Sequence, residues 1–313
     1  MKILRNRLSS ALLVLFGASF ITFTLARVIP SDPALAYIGP KATAEDAERL
    51  RITLGLDQPI PVQYVKYLIE TLQGNWGYSL STKQPILQEI ADRLPATLEL
   101  IFFAMSFAVI FGVALGVYAA KYRGKFQDSL IRILAIIGVS MPAFWLGLIL
   151  LLIFGMQLAW LPVVGYVAFS DDFYQGLRYV LLPIITLAMV ETGVLIRMVR
   201  SSSIEVLRLE YVAHARAKGA GELRVLLLHV LPNSFAPVLT MIGLILGHLL
   251  GGAAVLETVF TLPGLGRLLV DAIFSRDYPV IQGVLIFTAS IYVCINLVVD
   301  FCYPIFDPKV RLE

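Results

Sequence analysis

The sequence predicts an all-α integral membrane protein with six transmembrane helices and cytoplasmic N and C termini. The chain of 313 residues is 58% hydrophobic and 15% charged, with a mean hydropathy of +0.81. A soluble domain is roughly 45–50% apolar and about 25% charged. Six apolar runs are each long enough for a membrane helix, which needs about 20 residues. Lysine and arginine concentrate in alternate short loops, which fixes the direction of insertion.

Composition and motifs also exclude several other classes of protein. A disordered chain needs low hydrophobicity and high net charge, and a net charge of +3 is too small to favour nucleic acid as a partner. The two cysteines, Cys294 and Cys302, are too few for a disulfide framework. The sequence lacks a phosphate-binding loop, zinc-ligand spacing and a nucleophile motif. We therefore predict no catalytic residue, no metal site and no cofactor bound by this chain.

The apolar runs cover residues 8–28, 95–120, 130–159, 179–199, 235–256 and 280–301. The first run follows Lys2, Arg5 and Arg7 but is longer than the apolar region of a signal peptide, so we interpret residues 1–29 as a retained first helix. The third run is long enough to tilt or to bend at Pro142. Residues 95–313 then form a core of five helices.

Basic residues predict the orientation of these helices. The loops assigned to the cytoplasm contain Lys121, Arg123, Lys125, Arg200, Arg208, Arg216, Lys218 and Arg224, and the tail contains Lys309 and Arg311. The short loops on the opposite side contain only Arg178, Arg267 and Arg276. Both termini of this multi-pass protein are therefore expected in the cytoplasm.

The outer segment, residues 30–94, has an amphipathic pattern. We expect one helix over 44–54, capped by Thr43, and a second over 62–72 with Tyr64, Tyr67 and Leu68 on one side. Aromatic residues at the boundary between water and lipid favour packing against the outer rim of the bundle. A simple spacer is the alternative interpretation.

The cytoplasmic loop, residues 200–232, is long for a connection within a helical bundle. Its first part predicts a short helix that starts at Glu210, places Tyr211, Ala215 and Lys218 on one side, and is ended by glycines 219 and 221. The second predicted helix covers 223–230 and stops at Pro232. The residues leave two interpretations open: a docking surface, or two helices lying on the anionic inner leaflet.

The outer loop, residues 257–279, contains the pair Pro263-Gly264 followed by Gly266 and Arg267. We expect a tight turn in which proline sets the first φ and Gly264 supplies a positive φ. Such a stiff loop at the mouth of a bundle could form an outer gate, and plain turn chemistry is the alternative.

Polar and small residues inside the helices mark candidates for a transport path. Gly243, Gly247 and Gly251 recur every four residues, a spacing that lets another helix approach closely; Gly112 and Gly116 repeat it in the second run. An ionisable residue inside a membrane helix costs roughly 3 kcal/mol or more, so Glu191 and His248 should face the bundle interior or a wet cavity. A buried structural hydrogen bond is the alternative for both.

The cytoplasmic loop resembles the coupling motif of ABC importer permeases. The motif runs from Ala213-His214-Ala215, through Arg216 and Lys218, to the glycine at 219 and then Leu231-Pro232. The family's usual glutamate is missing from the opening triplet, and His229 stands where isoleucine is common. Both departures are similar to the peptide and nickel branch of the family.

Further motifs along the chain support this resemblance. They are PSDP at 30–33, LGLDQP at 54–59, LPATLEL at 94–100, SMPAFW at 140–145, ETVFTLPGLGR at 257–267 and RDYP at 276–279. Together they resemble the B-type permease of dipeptide, oligopeptide or nickel ABC importers, with a type I importer fold.

The resemblance implies a set of partners. A second homologous permease subunit would complete the pathway, two cytoplasmic ATPase subunits would bind ATP and Mg, and a periplasmic solute-binding protein would deliver the substrate. The chain itself would not be an enzyme, and residues 210–219 would transmit ATP-driven closure. Peptides and nickel or a metal chelate remain open as substrates. An ion-gradient-driven secondary transporter is the alternative function, although no internal repeat supports it.

Overall fold

The computed structural model describes residues 2–28, 45, 48–49, 52 and 57–306, and these residues form helices and connections without a strand. The helices are α1 (Lys2–Val28), α2 (Ile60–Leu72), α3 (Ile86–Lys121), α4 (Phe126–Ser140), α5 (Ala143–Leu150), α6 (Phe173–Leu207), α7 (Glu210–Ala217), α8 (Glu222–Val225), α9 (Leu231–Val259), α10 (Leu265–Ser275) and α11 (Tyr278–Phe306). Two π-helical segments, Leu151–Gln157 and Leu226–Val230, continue α5 and join α8 to α9. The all-α prediction is confirmed.

Four helical stretches in the described residues are long and apolar enough to cross a membrane: Ile86–Lys121, Phe173–Leu207, Glu222–Val259 and Tyr278–Pro304. A further pair, Phe126–Ser140 and Ala143–Gln157, is bent by 98°. The predicted bend at Pro142 is thus confirmed, since proline cannot donate to the preceding turn. In α1 the apolar part is shorter, Ser9–Thr24. The count of six crossings and the positions of the termini stay predictions.

We name the two ends of the bundle by the orientation predicted from the basic loops. The helices extend beyond the apolar runs at both ends because polar turns continue them into water. Helix α3, for example, begins at Ile86 after the extended residue Pro85, nine residues before the predicted start. Helix α6 likewise continues eight residues past the apolar run to Leu207.

The core lies between α3 and α6, the most extensively contacting helix pair. Gly112 and Gly116 of α3 face Leu195 and Val199 of α6, and a methyl group on either glycine would lie 2.6 Å from the facing Cβ atom. The close helix seam predicted from the glycine spacing is therefore confirmed in α3. Helix α4 covers another side of α6, and α9 packs between α6 and α11.

At the cytoplasmic end, a buried ion pair joins α4 to α6. The Asp128 side chain is almost fully buried, and its two oxygens accept hydrogen bonds from Arg200 Nε at 2.6 Å and Arg200 Nη2 at 2.8 Å. The backbone N–H of Gly124 also donates to Asp128, at 2.9 Å. These contacts fix the turn between α3 and α4 against the last turns of α6.

At the outer end, a second buried carboxylate joins the outer segment to α11. Asp277 Oδ2 accepts hydrogen bonds from Ser79 Oγ at 2.6 Å and from the backbone N–H of Ser81 at 3.0 Å. The Ser81 hydroxyl donates to the same oxygen at 3.0 Å. Residues that follow α2 are thus held directly at the start of the last helix.

The outer segment also packs on α1, as predicted from its aromatic residues. The Tyr64 ring lies edge-on to Phe16 and Phe20, with centroids 5.8 and 5.6 Å away, and Tyr67 lies 5.5 Å from Phe23. The helix predicted over 62–72 is therefore confirmed as α2, and it is no mere spacer. The helix predicted over 44–54 lies for the most part outside the described residues.

Candidate coupling loop, outer gate and pathway residues

The coupling segment is anchored by one buried apolar side chain. Val212 of α7 is fully buried and joins a cluster with Val206 of α6, Val225 of α8, and Leu226 and Val230 of the π segment. Burial of five branched aliphatic side chains supplies the main attraction at this site, since each contributes roughly 1.5–3 kcal/mol when fully buried. The cluster seats α7 on the cytoplasmic end of α6.

Helix α7 ends in a left-handed turn at Gly219, whose φ is +84°. The backbone N–H of Gly219 donates to the Arg216 carbonyl at 2.9 Å, and that of Ala220 donates to the Ala215 carbonyl at 3.2 Å. A residue with a Cβ is strained at this φ, and glycine is the usual residue just after a helix. The predicted helix end at Gly219 is confirmed.

Two side-chain contacts connect α7 to the residues that follow it. Arg216 Nε donates to Glu222 Oε1 at 2.8 Å across the turn. The Tyr211 hydroxyl donates to the His229 carbonyl at 3.3 Å, and burial raises the pKa of Tyr211. The loop therefore has a defined shape and its two helical parts move together.

The outward surface of the coupling segment carries most of the predicted coupling residues. Ala215 is half-buried, and the exposed members are Glu210, Tyr211, Ala213, His214, Arg216, Lys218 and Gly219. Leu223 and Leu227 add apolar side chains to this surface, 70% and 51% exposed. Water alone would solvate the basic groups, and lipid alone would accept the apolar groups. A surface that exposes both kinds of group is suited to a protein partner.

The second predicted helix of this loop does not end at Pro232, and that expectation was wrong. Helix α8 passes through the π segment directly into α9, so that residues 222–259 form one continuous helical stretch. Pro232 follows the π segment after one residue, and its missing backbone N–H interrupts the regular α-helical hydrogen bonding at this point. The widened π turn that precedes it accommodates the ring.

The outer gate loop is largely helical, because α10 begins immediately after Gly264. The expected positive φ at Gly264 was wrong: its φ is −98° and its ψ is 175°. The left-handed residue of this connection is Thr261, with φ 55°. Glycine is required at 264 for another reason, since a Cβ there would lie 2.1 Å from the Glu257 Cδ atom.

Glu257 fastens the start of α10 to two membrane-spanning helices. Its side chain is fully buried. Its Oε1 accepts a hydrogen bond from Thr97 Oγ1 of α3 at 2.6 Å, and its Oε2 accepts one from the backbone N–H of Arg267 at 2.9 Å. Thr97 Oγ1 in turn accepts from the backbone N–H of Leu265 at 2.8 Å. Free N–H groups at a helix N-terminus attract a carboxylate, and here they fix the gate.

The remaining gate residues support this arrangement. Gly266 lies against α9, where a Cβ would be 2.4 Å from the Ala254 Cα atom. Arg267 contributes its backbone N–H to Glu257, while its guanidinium Nε lies 3.8 Å from Asp271 Oδ2 in the next turn. Pro263 is half-buried and precedes the N-cap residue.

The outer connection between α5 and α6 is held by a carboxylate of α3. Glu99 Oε2 accepts a hydrogen bond from the Tyr166 hydroxyl at 2.8 Å, and Glu99 Oε1 accepts one from the backbone N–H of Phe169 at 3.3 Å. Burial, together with the adjacent Glu99, raises the pKa of Tyr166. Two outer segments, the α5–α6 connection and the start of α10, are therefore anchored on the same turn of α3 through Glu99 and Thr97.

The four predicted pathway residues occupy different surroundings. Glu191 is buried on α6, and no described residue is in hydrogen-bond contact with it. Gly247 faces α11, where a Cβ would lie 2.1 Å from the Tyr292 ring. His248 and Gly251 are exposed on α9. The structure therefore brings His248 and Gly251 to one surface and separates Gly247 and Glu191 from it.

One face of α9 is exposed along the full length of the helix and carries polar and small residues. This α9 stripe consists of Asn233, Pro237, Thr240, Leu244, His248, Gly251 and Val255. The exposed face of α4, by comparison, includes Ile133, Leu134 and Ile136. Lipid accepts an aliphatic face but penalises histidine in the middle of a membrane helix. His248 is therefore the member of the α9 stripe that is least suited to acyl chains.

The sequence reasoning did not assign a role to Glu257, Thr97 or Asp277. These residues lie in three of the motifs that carry the family resemblance, LPATLEL, ETVFTLPGLGR and RDYP. The available signal was an acidic or hydroxyl side chain at the end of an apolar run, next to a glycine-rich helix start. The role of Thr97 and Glu257 becomes visible only in the folded chain, where their side chains form a hydrogen bond.

Two family models match the chain. The model for the binding-protein-dependent transport system inner membrane component matches residues 112–312, and the model for the N-terminal part of such membrane components matches residues 1–101. Among solved structures, the chain is similar to an inward-facing MetNI methionine ABC transporter, with a TM-score of 0.58 and 18% identity. That match covers 71% of this chain and 98% of the other, and it supports the fold.

Full-length relatives give the same result. A peptide transport system permease protein of Brucella abortus is 41% identical over 308 residues. The dipeptide permease DppB of Alkalihalophilus pseudofirmus is 40% identical over 326 residues, and the glutathione permease GsiC of Salmonella paratyphi A is 43% identical over 308. Each alignment covers 98% of both chains. The chain belongs to the family of binding-protein-dependent transport system inner membrane components, and it is a multi-pass permease subunit of an ABC importer in the bacterial inner membrane.

Proposed function

We propose that this chain forms half of a transmembrane path for peptides. The relatives aligned over nearly the whole chain are named for peptide, dipeptide and glutathione transport, and all three are peptide substrates. The expectation of nickel rested on the resemblance alone, and none of these relatives is named for nickel. The ion-gradient alternative gains no support from them, so we retain the peptide importer.

The α9 stripe supplies the wall of this path in our proposal. It places His248 and Gly251 on one surface, together with the hydroxyl and amide groups of Thr240 and Asn233. The His248 imidazole can exchange hydrogen bonds with a passing peptide backbone. The Asn233 amide already donates to the His229 carbonyl, and the Thr240 hydroxyl already pairs with Tyr303. Gly247 instead packs against Tyr292 of α11. The path-lining role of Glu191 stays a prediction.

We propose that the exposed surface of α7 docks into a cytoplasmic ATPase subunit. Two such subunits would bind ATP and Mg and carry out hydrolysis, so the chain itself would not be an enzyme. A second homologous permease would provide the opposite wall, and a periplasmic solute-binding protein would deliver the peptide. The observation that carries the coupling role is the rigid seating of α7 by Val212, because a rigid element can transmit a displacement.

The outer gate completes the cycle. Helix α10 is fixed to α3 and α9 through Glu257 and Thr97. A relative movement of α3 and α9, started at the cytoplasmic end, would therefore displace α10. The two ends of the path would open alternately because the same helices carry both the coupling segment and the gate.

The coupling role is tested by substituting Gly219 in the assembled importer. Gly219→Val forces a β-branched residue into a left-handed conformation and should disturb α7. Gly221→Val is the matched control, since Gly221 has φ −63° and open space around it. We expect the Gly219 variant to assemble but to lose most peptide uptake and peptide-stimulated ATP hydrolysis. Normal uptake by that variant would count against the coupling role.

A further inference from the structure

Helix α2 of the outer segment has three distinct faces. The first is aromatic and consists of Tyr64, Tyr67, Leu68 and Thr71. The second is aliphatic and consists of Val62, Val65, Ile69 and Leu72. The third is polar and consists of Gln63, Lys66, Glu70 and Gln73. At 3.6 residues per turn, the centres of these faces are separated by roughly 100–130°.

The aromatic face packs on α1 within the apolar part of that helix. The Tyr64 hydroxyl shares a hydrogen bond of 2.8 Å with Ser19 Oγ, and it lies 3.4 Å from the Phe16 carbonyl. Tyr67 packs on Phe23, and burial raises the pKa of Tyr67 to about 12. These contacts define where α2 sits along α1.

The position along α1 corresponds to the outer boundary of the bilayer. Arg27 lies in the last turn of α1. The apolar part of α1 ends at Thr24. That end lies one residue after Phe23 and five residues after Ser19, the latter about 8 Å along a helix. A helix that lies in the membrane interface buries its apolar side about 5–10 Å into the boundary between headgroups and acyl chains. The aromatic contacts place α2 at this depth.

The aliphatic face remains exposed in the folded chain. The exposed fractions are 49% for Val62, 54% for Val65, 49% for Ile69 and 86% for Leu72. The surface of α1 beside it is also aliphatic and aromatic, and its exposed members include Leu13, Phe16, Phe20 and Ile21. The aliphatic face of α2 thus continues an apolar surface that belongs to a membrane helix.

We propose that α2 is an interfacial helix whose aliphatic face contacts the acyl chains of the outer leaflet while its polar face contacts water. A helix fully outside the membrane would expose four large aliphatic side chains to water, which is unfavourable by about 25 cal/mol for each Å². A helix fully inside would place Lys66 and Glu70 in hydrocarbon. The interface satisfies both faces, since Lys66 can extend its ammonium group outward. In this proposal α2 lies beside α1 and binds the lipid of the outer leaflet.

Site-directed fluorescence in vesicles tests this placement. The full chain, with Cys294 and Cys302 replaced by alanine, receives one cysteine by Val65→Cys, or by Lys66→Cys as the matched control one residue away. Each is labelled with bimane and reconstituted in phosphatidylethanolamine–phosphatidylglycerol vesicles. We expect brominated acyl chains to quench position 65 at least two-fold more than position 66, and aqueous iodide to show the opposite order.

Two outcomes would overturn the proposal. Equal iodide quenching at both positions would place the aliphatic face in water. Protection of position 65 from both quenchers would show that protein covers it, such as a second permease subunit or residues 29–56. Ile69→Cys repeats the measurement if Val65→Cys lowers the thermal transition of the chain. The experiment measures position and not transport, so its failure would leave the peptide importer proposal standing.

Discussion

Thr97 and Glu257 lie 160 residues apart in the chain and share a buried hydrogen bond of 2.6 Å. The pair links α3 to α9 and also receives the first backbone N–H groups of α10. An outer gate helix is thereby attached to two spanning helices through one carboxylate and one hydroxyl. A movement of either spanning helix at this junction would therefore reach α10.

Removing the Glu257 carboxylate should release α10. Glu257→Ala leaves the Arg267 N–H and the Thr97 hydroxyl without their acceptor, and each unsatisfied buried group costs about 1–3 kcal/mol. We expect a lower thermal unfolding midpoint and strongly reduced peptide uptake. Thr97→Ser is the control because it keeps the hydroxyl, and it should retain most activity. Similar uptake in Glu257→Ala and Thr97→Ser would show that the junction does not hold the gate.

A methyl group at Gly264 should also lower the thermal unfolding midpoint, because it displaces the Glu257 carboxylate or the start of α10. In Gly264→Ala the added Cβ would lie 2.1 Å from the Glu257 Cδ atom, so the carboxylate or the start of α10 must shift. Gly17→Ala on α1 is the matched control, since no atom lies within 4 Å of its built Cβ. Thermal unfolding of the purified chain compares them. Equal stability of the two variants would contradict the close approach.

The ion pair between Asp128 and Arg200 should stabilise the cytoplasmic end. Asp128→Ala leaves the Arg200 guanidinium, whose side chain is 20% exposed, without its carboxylate partner, and loss of one partner of a largely buried pair is destabilising. Arg132→Ala is the control, because Arg132 is half exposed and its Nε lies 3.8 Å from Asp128. We expect a large loss of thermal stability in the first variant only. A loss of the same size in Arg132→Ala would assign the effect to surface charge.

His248→Ala should reduce transport more than it reduces stability. His248 lies on the exposed α9 stripe and makes no hydrogen bond to a described residue, so its removal leaves no buried partner unsatisfied. We expect at least a several-fold loss of peptide uptake at an unchanged unfolding midpoint. Proportional loss of uptake and stability would return His248 to a packing role.

Much of the helical architecture could be predicted because the thickness of the bilayer sets the length of each apolar run, so that the runs in the sequence indicate the helices. The bend at Pro142, the seam at Gly112 and Gly116, and the helix end at Gly219 follow from local rules for proline and glycine. Gly264 shows the limit of those rules. Its sequence context suggested a positive φ, but the glycine is needed because a carboxylate seven residues earlier approaches its backbone.

The sequence could predict the end of α7 at Gly219, but it could not predict which face of α9 is covered. Helical spacing alone grouped Gly247 with Gly251, yet a glycine step of four residues rotates slowly around the helix. Gly247 packs against the Tyr292 ring, whereas no atom lies within 4 Å of a Cβ built on Gly251. Which face of α9 is covered depends on the placement of α11, and no local pattern specifies that placement.

The long separation in sequence of the outer carboxylates from their partners has a consequence for biosynthesis. Ser79 and Thr97 bind Asp277 and Glu257, which follow 198 and 160 residues later. While the ribosome is still making the middle of the chain, neither Ser79 of the outer segment nor Thr97 of α3 has its native acceptor. The periplasmic mouth can therefore mature only near the end of translation, and a product truncated before Glu257 would keep that mouth unformed.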